Sequence, residues 1–363
     1  MRSRLKLITA VVLLILVAGV LTTPVWKPAA KRVKWFVVAT NIYQDALRRS
    51  GLRHDQISQP DFAALPDAVL SSYLDRINTT FHNYQAYAGV KENAFRGARV
   101  LEVGPGETLG VALRFLGSGA REVVAVDKFV PLQTSPFHQR LYKQLMDQLT
   151  PDERQNIADA VSVDHGVRFN PRRVTYIYGQ GMEEAGQSLA AQPFDLIVSN
   201  AVLEEVYDVD RMLETLDGVL KPGGRQVHMI DMRDYGMFSK HGFHPLEFLT
   251  IPDGIYRYMV EASGQPNRHL LDYYRSKMTA LGYRTTVFRT WVVGGTSPLG
   301  QYPTELKYGR DYSDANLQLV RSIRGRLLPR YRGLSDDDLL TAGILIVADK
   351  PPRTGNVQAA VTR

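Results

Sequence analysis

Residues 98–110, Ala-Arg-Val-Leu-Glu-Val-Gly-Pro-Gly-Glu-Thr-Leu-Gly, constrain the fold more than any other part of the chain. Val100, Leu101 and Val103 form a near-continuous apolar run, the pattern of a parallel strand covered on both faces. Gly104 and Gly106 follow at once; lacking a Cβ, they allow a tight turn and let a ligand approach the backbone. Val111, Ala112, Phe115 and Leu116 then recur at helical spacing. Strand, glycine turn and helix in this order hold a nucleotide-like ligand at the strand's carboxyl end. The spacing is Gly-x-Gly-x-x-x-Gly, which departs from the dinucleotide pattern, and a tight turn needs glycines whether or not anything binds there. A second apolar run, residues 122–127, ends in Asp127, about 20 residues past the glycines, where a carboxylate can accept both hydroxyls of a ribose. The alternative for Asp127 is a solvated loop acid.

Two further blocks continue the alternation. Phe194 to Val198 reads as a buried strand ending in Ser199 and Asn200, and Met212, Leu213, Leu216, Val219 and Leu220 share one helical stripe. Lys221-Pro-Gly-Gly224 stops that helix, and Gln226 to Ile230 forms a fifth strand. With residues 101–106, Asp127, 194–204 and 219–224 in this order, the chain resembles the class I S-adenosylmethionine-dependent methyltransferases over about a third of its length. The resemblance implies an α/β fold: a seven-stranded, mostly parallel, Rossmann-like sheet with helices on both faces and the last strand antiparallel. It implies S-adenosyl-L-methionine as cofactor. By position, the Gly104 and Gly106 backbone would pass under the methionine part, and Glu102 would hold its amino group directly or through water. Asp127 would take the ribose hydroxyls, and Ser199 and Asn200 would line the methionine end. The family often places an Asp after the third strand. Residues 178–184, Tyr-Gly-Gln-Gly-Met-Glu-Glu, have none, so Gln180, the Met182 backbone or Glu183 would meet the adenine instead. Glu205 stands where the family often has His.

The net charge of +7 is local. Residues 1–60 hold ten Lys or Arg against Asp45 and Asp55, a surplus of eight that leaves the remainder at about −1. The basicity therefore belongs to the amino terminus and not to a nucleic-acid groove, and no nucleic-acid partner is expected. Cysteine is absent, which excludes disulfides and thiolate metal sites. Leu7 to Leu21 is apolar apart from Thr9 and small residues, with basic residues on both sides. Residues 1–26 read as a single-pass transmembrane anchor, with a cleaved signal peptide as the alternative. Residues 27–65 read as a basic juxtamembrane helical region; Trp26 just before it, with Trp35 and Phe36 in it beside Lys27, Lys31, Arg32 and Lys34, suits a membrane interface. The bland alternative there is a solvated helical face with two core aromatics. The methyltransferase domain is expected over 66–350, with insertions at about 128–173, 231–266 and 294–335, and a disordered tail over 351–363. Because S-adenosylmethionine is made in the cytosol, the domain is expected on the cytoplasmic side.

Helices are expected from Pro66 to Phe81 and from Asn267 to Leu281, and strands over 284–293 and 343–348. Thr150-Pro-Asp-Glu153 reads as a capping box, which orders the insertion between the second and third strands. Methyl transfer from a sulfonium is an in-line displacement that needs alignment of the acceptor. An O- or N-acceptor also needs a base. Asp231 ends the fifth strand beside the expected cleft, and His241 and His244 lie in the long connection after it; each is a candidate base, with a capping acid or a satisfied surface His as its alternative. Two His three apart make a thin case for a metal site, so none is expected. Five Arg in residues 321–332 can grip an acceptor phosphate or sulfate, or an anionic lipid surface, or simply solvate a loop. The leading expectation is O-methylation of a small-molecule, glycan or lipid-linked acceptor at a membrane. N-methylation, lipid-headgroup methylation, and a non-catalytic cofactor-binding membrane scaffold are the alternatives.

Overall fold

The computed structural model describes residues 32–51, 67–88, 95–129 and 136–352. The expected anchor over 1–26 and nearly all of the expected tail lie outside the described residues. Among those described, no helix is long and apolar enough to cross a membrane.

Seven strands form one sheet: β1 (Arg99–Val103), β2 (Glu122–Asp127), β3 (Val174–Tyr178), β4 (Phe194–Asn200), β5 (Leu220–Asp231), β6 (Arg284–Val292) and β7 (Thr341–Asp349). Their order is β3-β2-β1-β4-β5-β7-β6. Neighbours from β3 through β5 are parallel, whereas β7 runs antiparallel between β5 and β6. The expected Rossmann-like sheet, with its last strand antiparallel, is thus the one observed. All five residues of β1 are buried, because helices cover both faces.

The helices are α1 (Lys34–Arg49), α2 (Asp67–Tyr87), α3 (Gly110–Gly117), α4 (Pro136–Asp147), α5 (Pro151–Ile157), α6 (Met182–Leu189), α7 (Val209–Val219), α8 (Asp253–Val260), α9 (Leu271–Ala280), α10 (Asp314–Arg324), α11 (Pro329–Arg332) and α12 (Asp336–Leu340). On one face, Leu74, Ile77 and Phe81 of α2, Phe115 of α3 and Leu141 of α4 pack on Val100, Val123 and Val198. On the other, Met182 of α6, Leu213 and Leu216 of α7 and Tyr274 of α9 pack on Leu101, Val124 and Ile197. Thr150 and Glu153 close the expected capping box at α5, satisfying two backbone N–H groups that the helix itself cannot.

Two boundaries differ from expectation for local reasons. Lys221-Pro-Gly-Gly224 falls inside β5 and not in a loop: the helix has ended by Leu220, which is already extended, and the register shifts between Phe194 and Leu196 on β4. Helix α9 begins at Leu271 instead of Asn267. The Asn267 amide donates to the carbonyls of Leu203 and Val206, and Arg268 is left-handed, so neither residue can enter a helix.

Helix α1 lies along α8, and the two run in the same direction. Lys34 reaches Glu247 and Thr250 before α8, while Arg49 reaches Glu261 after it. Fully buried Asp45 accepts the Ala262 N–H at 2.8 Å and pairs with Arg49. Phe36, Val37 and Val38 are buried, and Val37 and Val38 join the same core as α8. The region expected to be juxtamembrane thus shares a core with the 231–266 insertion.

Candidate active site

The chain leaves β1 toward β2 and β3 on one side, and returns to β4 and β5 on the other. Ligands of open α/β sheets sit where the order reverses, outside the strands' carboxyl ends. Val103 pairs with Ser199 in register, so the glycine turn and the end of β4 leave the sheet side by side. Both turn glycines are left-handed, Gly104 at φ 68° and Gly106 at φ 67°. A Cβ on Gly104 would overlap Val202 Cγ2, whereas one on Gly106 would project into open space. Asp127 fixes the turn from the neighbouring strand: its two oxygens accept the N–H groups of Gly106 at 3.0 Å and Phe129 at 2.9 Å. Each oxygen keeps a lone pair for another donor.

Four carboxyl groups collect at this end of the sheet. Burial, and then the nearby Asp127 charge, pushes Glu102 up to about 8. Burial alone raises Asp127, against the two N–H groups it accepts. Burial pushes Glu204 up to about 8 and Glu205 up to about 7, with Asp127 raising the latter further. Glu102 Oε2 and Glu204 Oε2 are buried without a hydrogen-bond partner among the described residues. Buried polar groups are normally paired, so two orphaned carboxylate oxygens beside a crevice mark a place for a donor or a cation. Tyr235 enters this group with a left-handed backbone at φ 50°, and its hydroxyl donates to Glu204 Oε1 at 2.9 Å. Ala201, leaving β4, is left-handed too, at φ 55°. Strained non-glycine residues of this kind concentrate at functional sites.

At the carboxyl ends of β4 and β5 opens a cleft of about 390 Å³. Asn200 and Asp231 line it from the ends of β4 and β5, with Asp75, Arg76 and Asn83 from α2 and Trp291 and Tyr302 from the far side. Arg233 holds Asp231 through two nitrogens, the shortest contact being 2.6 Å, and stacks over the Trp291 ring at 3.8 Å. The Asp231 N–H donates to Glu204 Oε1, which ties the cleft to the carboxyl group cluster.

The structure brings Glu102, Gly104, Gly106 and Asp127 together at the carboxyl ends of β1 and β2, and places Asn200 and Asp231 at the ends of the next two strands. Met182 and Glu183 open α6 beyond β3; the Met182 side chain is buried in the core, leaving its backbone for contact, and Glu183 folds back over Gly181. Three expected residues sit differently. The Ser199 side chain faces the interior: its hydroxyl donates to His228 Nδ1 at 2.7 Å. His228 Nε2 in turn donates to Gln226 Oε1, and burial pushes this imidazole down to about 3, so it stays neutral. His244 has both ring nitrogens engaged. Nδ1 accepts the Leu246 N–H at 3.0 Å and Nε2 donates to the Leu319 carbonyl at 2.9 Å. No lone pair is left for a base, and burial lowers its pKa. That geometry argues against the base role expected for His244: it stitches the insertion to α10. His241 lies in a single 3-10 turn and does not line the cleft. Glu204, Glu205 and Tyr235 are the residues that reading the sequence missed; the only signal was the Glu at position 205.

A family model described as a methyltransferase domain matches residues 74–284, more than half of the chain. No curated protein sequence matches it. Similar solved structures include a cyclopropane-fatty-acyl-phospholipid synthase-like protein from Lactobacillus casei. It is 13% identical with TM-score 0.40, over 80% of this chain and 96% of that one. An S-adenosylmethionine-dependent methyltransferase from Mesorhizobium loti is 15% identical with TM-score 0.35, over 75% and 99%. Phosphoethanolamine N-methyltransferase 2 from Haemonchus contortus, solved with phosphomonomethylethanolamine and S-adenosylhomocysteine, is 14% identical with TM-score 0.39, over 81% and 61%. The chain belongs to the methyltransferase-domain family and is a class I S-adenosylmethionine-dependent methyltransferase.

Proposed function

We propose that the chain binds S-adenosylmethionine in the crevice between β1 and β4, and O-methylates a small-molecule, glycan or lipid-linked acceptor at a membrane. The observation that carries the cofactor reading is the pairing of a Cβ-free turn with the orphaned Glu102 oxygen: one leaves room for the ligand, the other lacks a donor. Glu102 would accept the cofactor's ammonium group, Asp127 would accept the ribose hydroxyls, and Gly106 would let the ligand lie against the backbone. When bound, the cofactor supplies a methyl group on a positively charged sulfur. The buried carboxylates complement that charge in a poorly screened site.

The acceptor enters the cleft at Asn200 and Asp231. Its lining sets carboxylate, amide and guanidinium groups among Met229, Ile230, Pro298 and two aromatic rings, which suits a hydroxyl carried on an apolar body. Asp231 is the base. Its pairing with Arg233 orients it. An attacking hydroxyl becomes acidic as its new bond forms, so a weak base in line is sufficient. Glu204, held by the Asp231 N–H and the Tyr235 hydroxyl, positions that carboxylate. The membrane address rests on the apolar run from Leu7 to Leu21 and its basic flanks.

The test is mass spectrometry of glycans and lipids from cells with and without the gene, with calorimetry of S-adenosylmethionine on the pure chain. A methyl-sized mass difference on a hydroxyl, lost in Asp231→Asn cells, is the expected result. A chain that binds no S-adenosylmethionine is instead a scaffold, and a methyl on nitrogen removes the O-methylation reading.

A further inference from the structure

Two segments outside the matched domain, residues 32–51 and 314–340, meet through the insertion that follows β5. They meet at Glu247, which is almost fully buried and ion-pairs with Lys34 of α1 at 2.8 Å and with Arg326, just after α10, at 3.2 Å. Two neighbouring acids repeat the arrangement. Asp253 is shared by Arg268 and Arg330, and Asp336 by Arg321 and Arg324. Each group of three carries one net positive charge, so pairing does not neutralise the basic run of residues 321–332. Arg326 still exposes 59% of its side chain and Arg330 50%. Beside Lys34, Val33 is 57% and Trp35 52% exposed, the two large apolar side chains that open α1. Trp35 carries the Lys34 ammonium near its ring, whereas Phe36 turns inward.

We propose that this face, built on Val33, Lys34, Trp35, Arg326 and Arg330, lies against an anionic lipid surface as a second contact besides the amino-terminal apolar run. Three features favour a bilayer over another occupant. The chain outside the described residues joins the protein at Arg32, on the edge of this face, and it contains the apolar run. The exposed chemistry is an interfacial aromatic among cations, which suits the headgroup level of a bilayer. The acids present are each outnumbered by cations, so the face remains complementary to anionic headgroups. The same insertion begins at Asp231 in the cleft and reaches this face at Glu247. The cleft would then be held at a fixed attitude to the lipid that carries its acceptor. The inference rests on the membrane address proposed above, but its readout does not depend on methyl transfer.

The chain has no cysteine, so one introduced thiol reports one place. An environment-sensitive dye is attached to full-length Val33→Cys, and in a second sample to Lys143→Cys on α4, across the sheet. Both are mixed with vesicles of phosphatidylcholine alone, or with phosphatidylglycerol added. The dye at 33 is expected to shift to the blue and be quenched by a bilayer-borne quencher only on the anionic vesicles, while the dye at 143 stays in water. Arg326→Gln with Arg330→Gln should lower the apposed population about tenfold or more, at the worth of a basic residue near such a surface. A dye at 33 that stays in water on protein bound to the anionic vesicles overturns the proposal. So does a shift that ignores lipid charge and both arginines, or a chain that binds neither vesicle. Loss of methyl transfer with the dye response intact would count against the proposed function alone.

Discussion

Gly104 and Gly106 share a backbone conformation and differ in their surroundings, so alanine at each position separates strain from contact. An L-residue at φ near +68° costs about 1–2 kcal/mol, and this applies equally to both. At Gly104 the new methyl also overlaps Val202 Cγ2. Valine is stiff about χ1 and cannot simply swing away, so overpacking adds about 1–3 kcal/mol. Gly104→Ala should therefore lose about 2–5 kcal/mol and Gly106→Ala only about 1–2, read from equilibrium urea unfolding. Affinity for S-adenosylmethionine, measured by calorimetry, should rank the pair by a different rule. Gly106→Ala places its methyl in the open space where the ligand would lie, so its loss of affinity should far exceed what its small loss of stability suggests. Adding Val202→Ala should recover most of the excess in Gly104→Ala and nothing in Gly106→Ala, a coupling between neighbours that a double-mutant cycle resolves. If both single variants unfold alike and Val202→Ala rescues neither, the turn is not packed against the end of β4 and the site geometry is wrong.

Other outcomes follow from the carboxyl groups and the cleft. Burial pushes Glu205 up from 4.5 to about 7, so the folded chain holds this proton more tightly than the unfolded one; its share of stability is present at low pH and falls as pH rises through that window. Glu205→Gln should stabilise the protein by about 1–3 kcal/mol at pH 8 and by little at pH 4, and equal effects at both would refute the shift. A cationic cofactor favours the ionised forms of Glu102, Glu204 and Glu205, so its affinity should rise between pH 6 and about 8.5. Calorimetry in two buffers of different ionisation heat should then show net proton release on binding; uptake would contradict the assignment. His244→Ala should cost about 1–2 kcal/mol of stability through two lost backbone hydrogen bonds, with turnover per folded molecule unchanged. Asp231→Asn should do the reverse, lowering turnover roughly a hundredfold with stability and cofactor affinity near wild type.

The core of the fold was readable because its signals are local and agree with each other. The apolar run into Gly104, the acid at 127, the strand into Asn200 and the stripe from Met212 to Val219 each report one element. Together they allow only a parallel sheet with crossover helices. Boundaries failed where a side chain acts on backbone far away in sequence. Asn267 looks like a helix start until its amide is seen holding the carbonyls of Leu203 and Val206, more than 60 residues earlier.

The site was readable in the same measure. Glu102, Gly104, Gly106 and Asp127 are fixed by position within a strand-turn unit, so spacing alone brings them together. Asp231 is a candidate base by its place at a strand end, but His241 and His244 rest on residue type in a long connection, and type does not reveal how a ring nitrogen is occupied. His244 had the right chemistry and the wrong neighbours, the Leu246 N–H and the Leu319 carbonyl. Glu204, Glu205 and Tyr235 were missed for the converse reason. The loop through Gly264 and Asn267, about 60 residues later, packs over the Glu pair and buries it. Burial then shifts both acids upward, and a left-handed Tyr235 brings the hydroxyl that one of them accepts. The property that makes these residues candidates for function, a carboxyl group poised near neutrality, is created by tertiary desolvation, and no spacing rule along the chain encodes it.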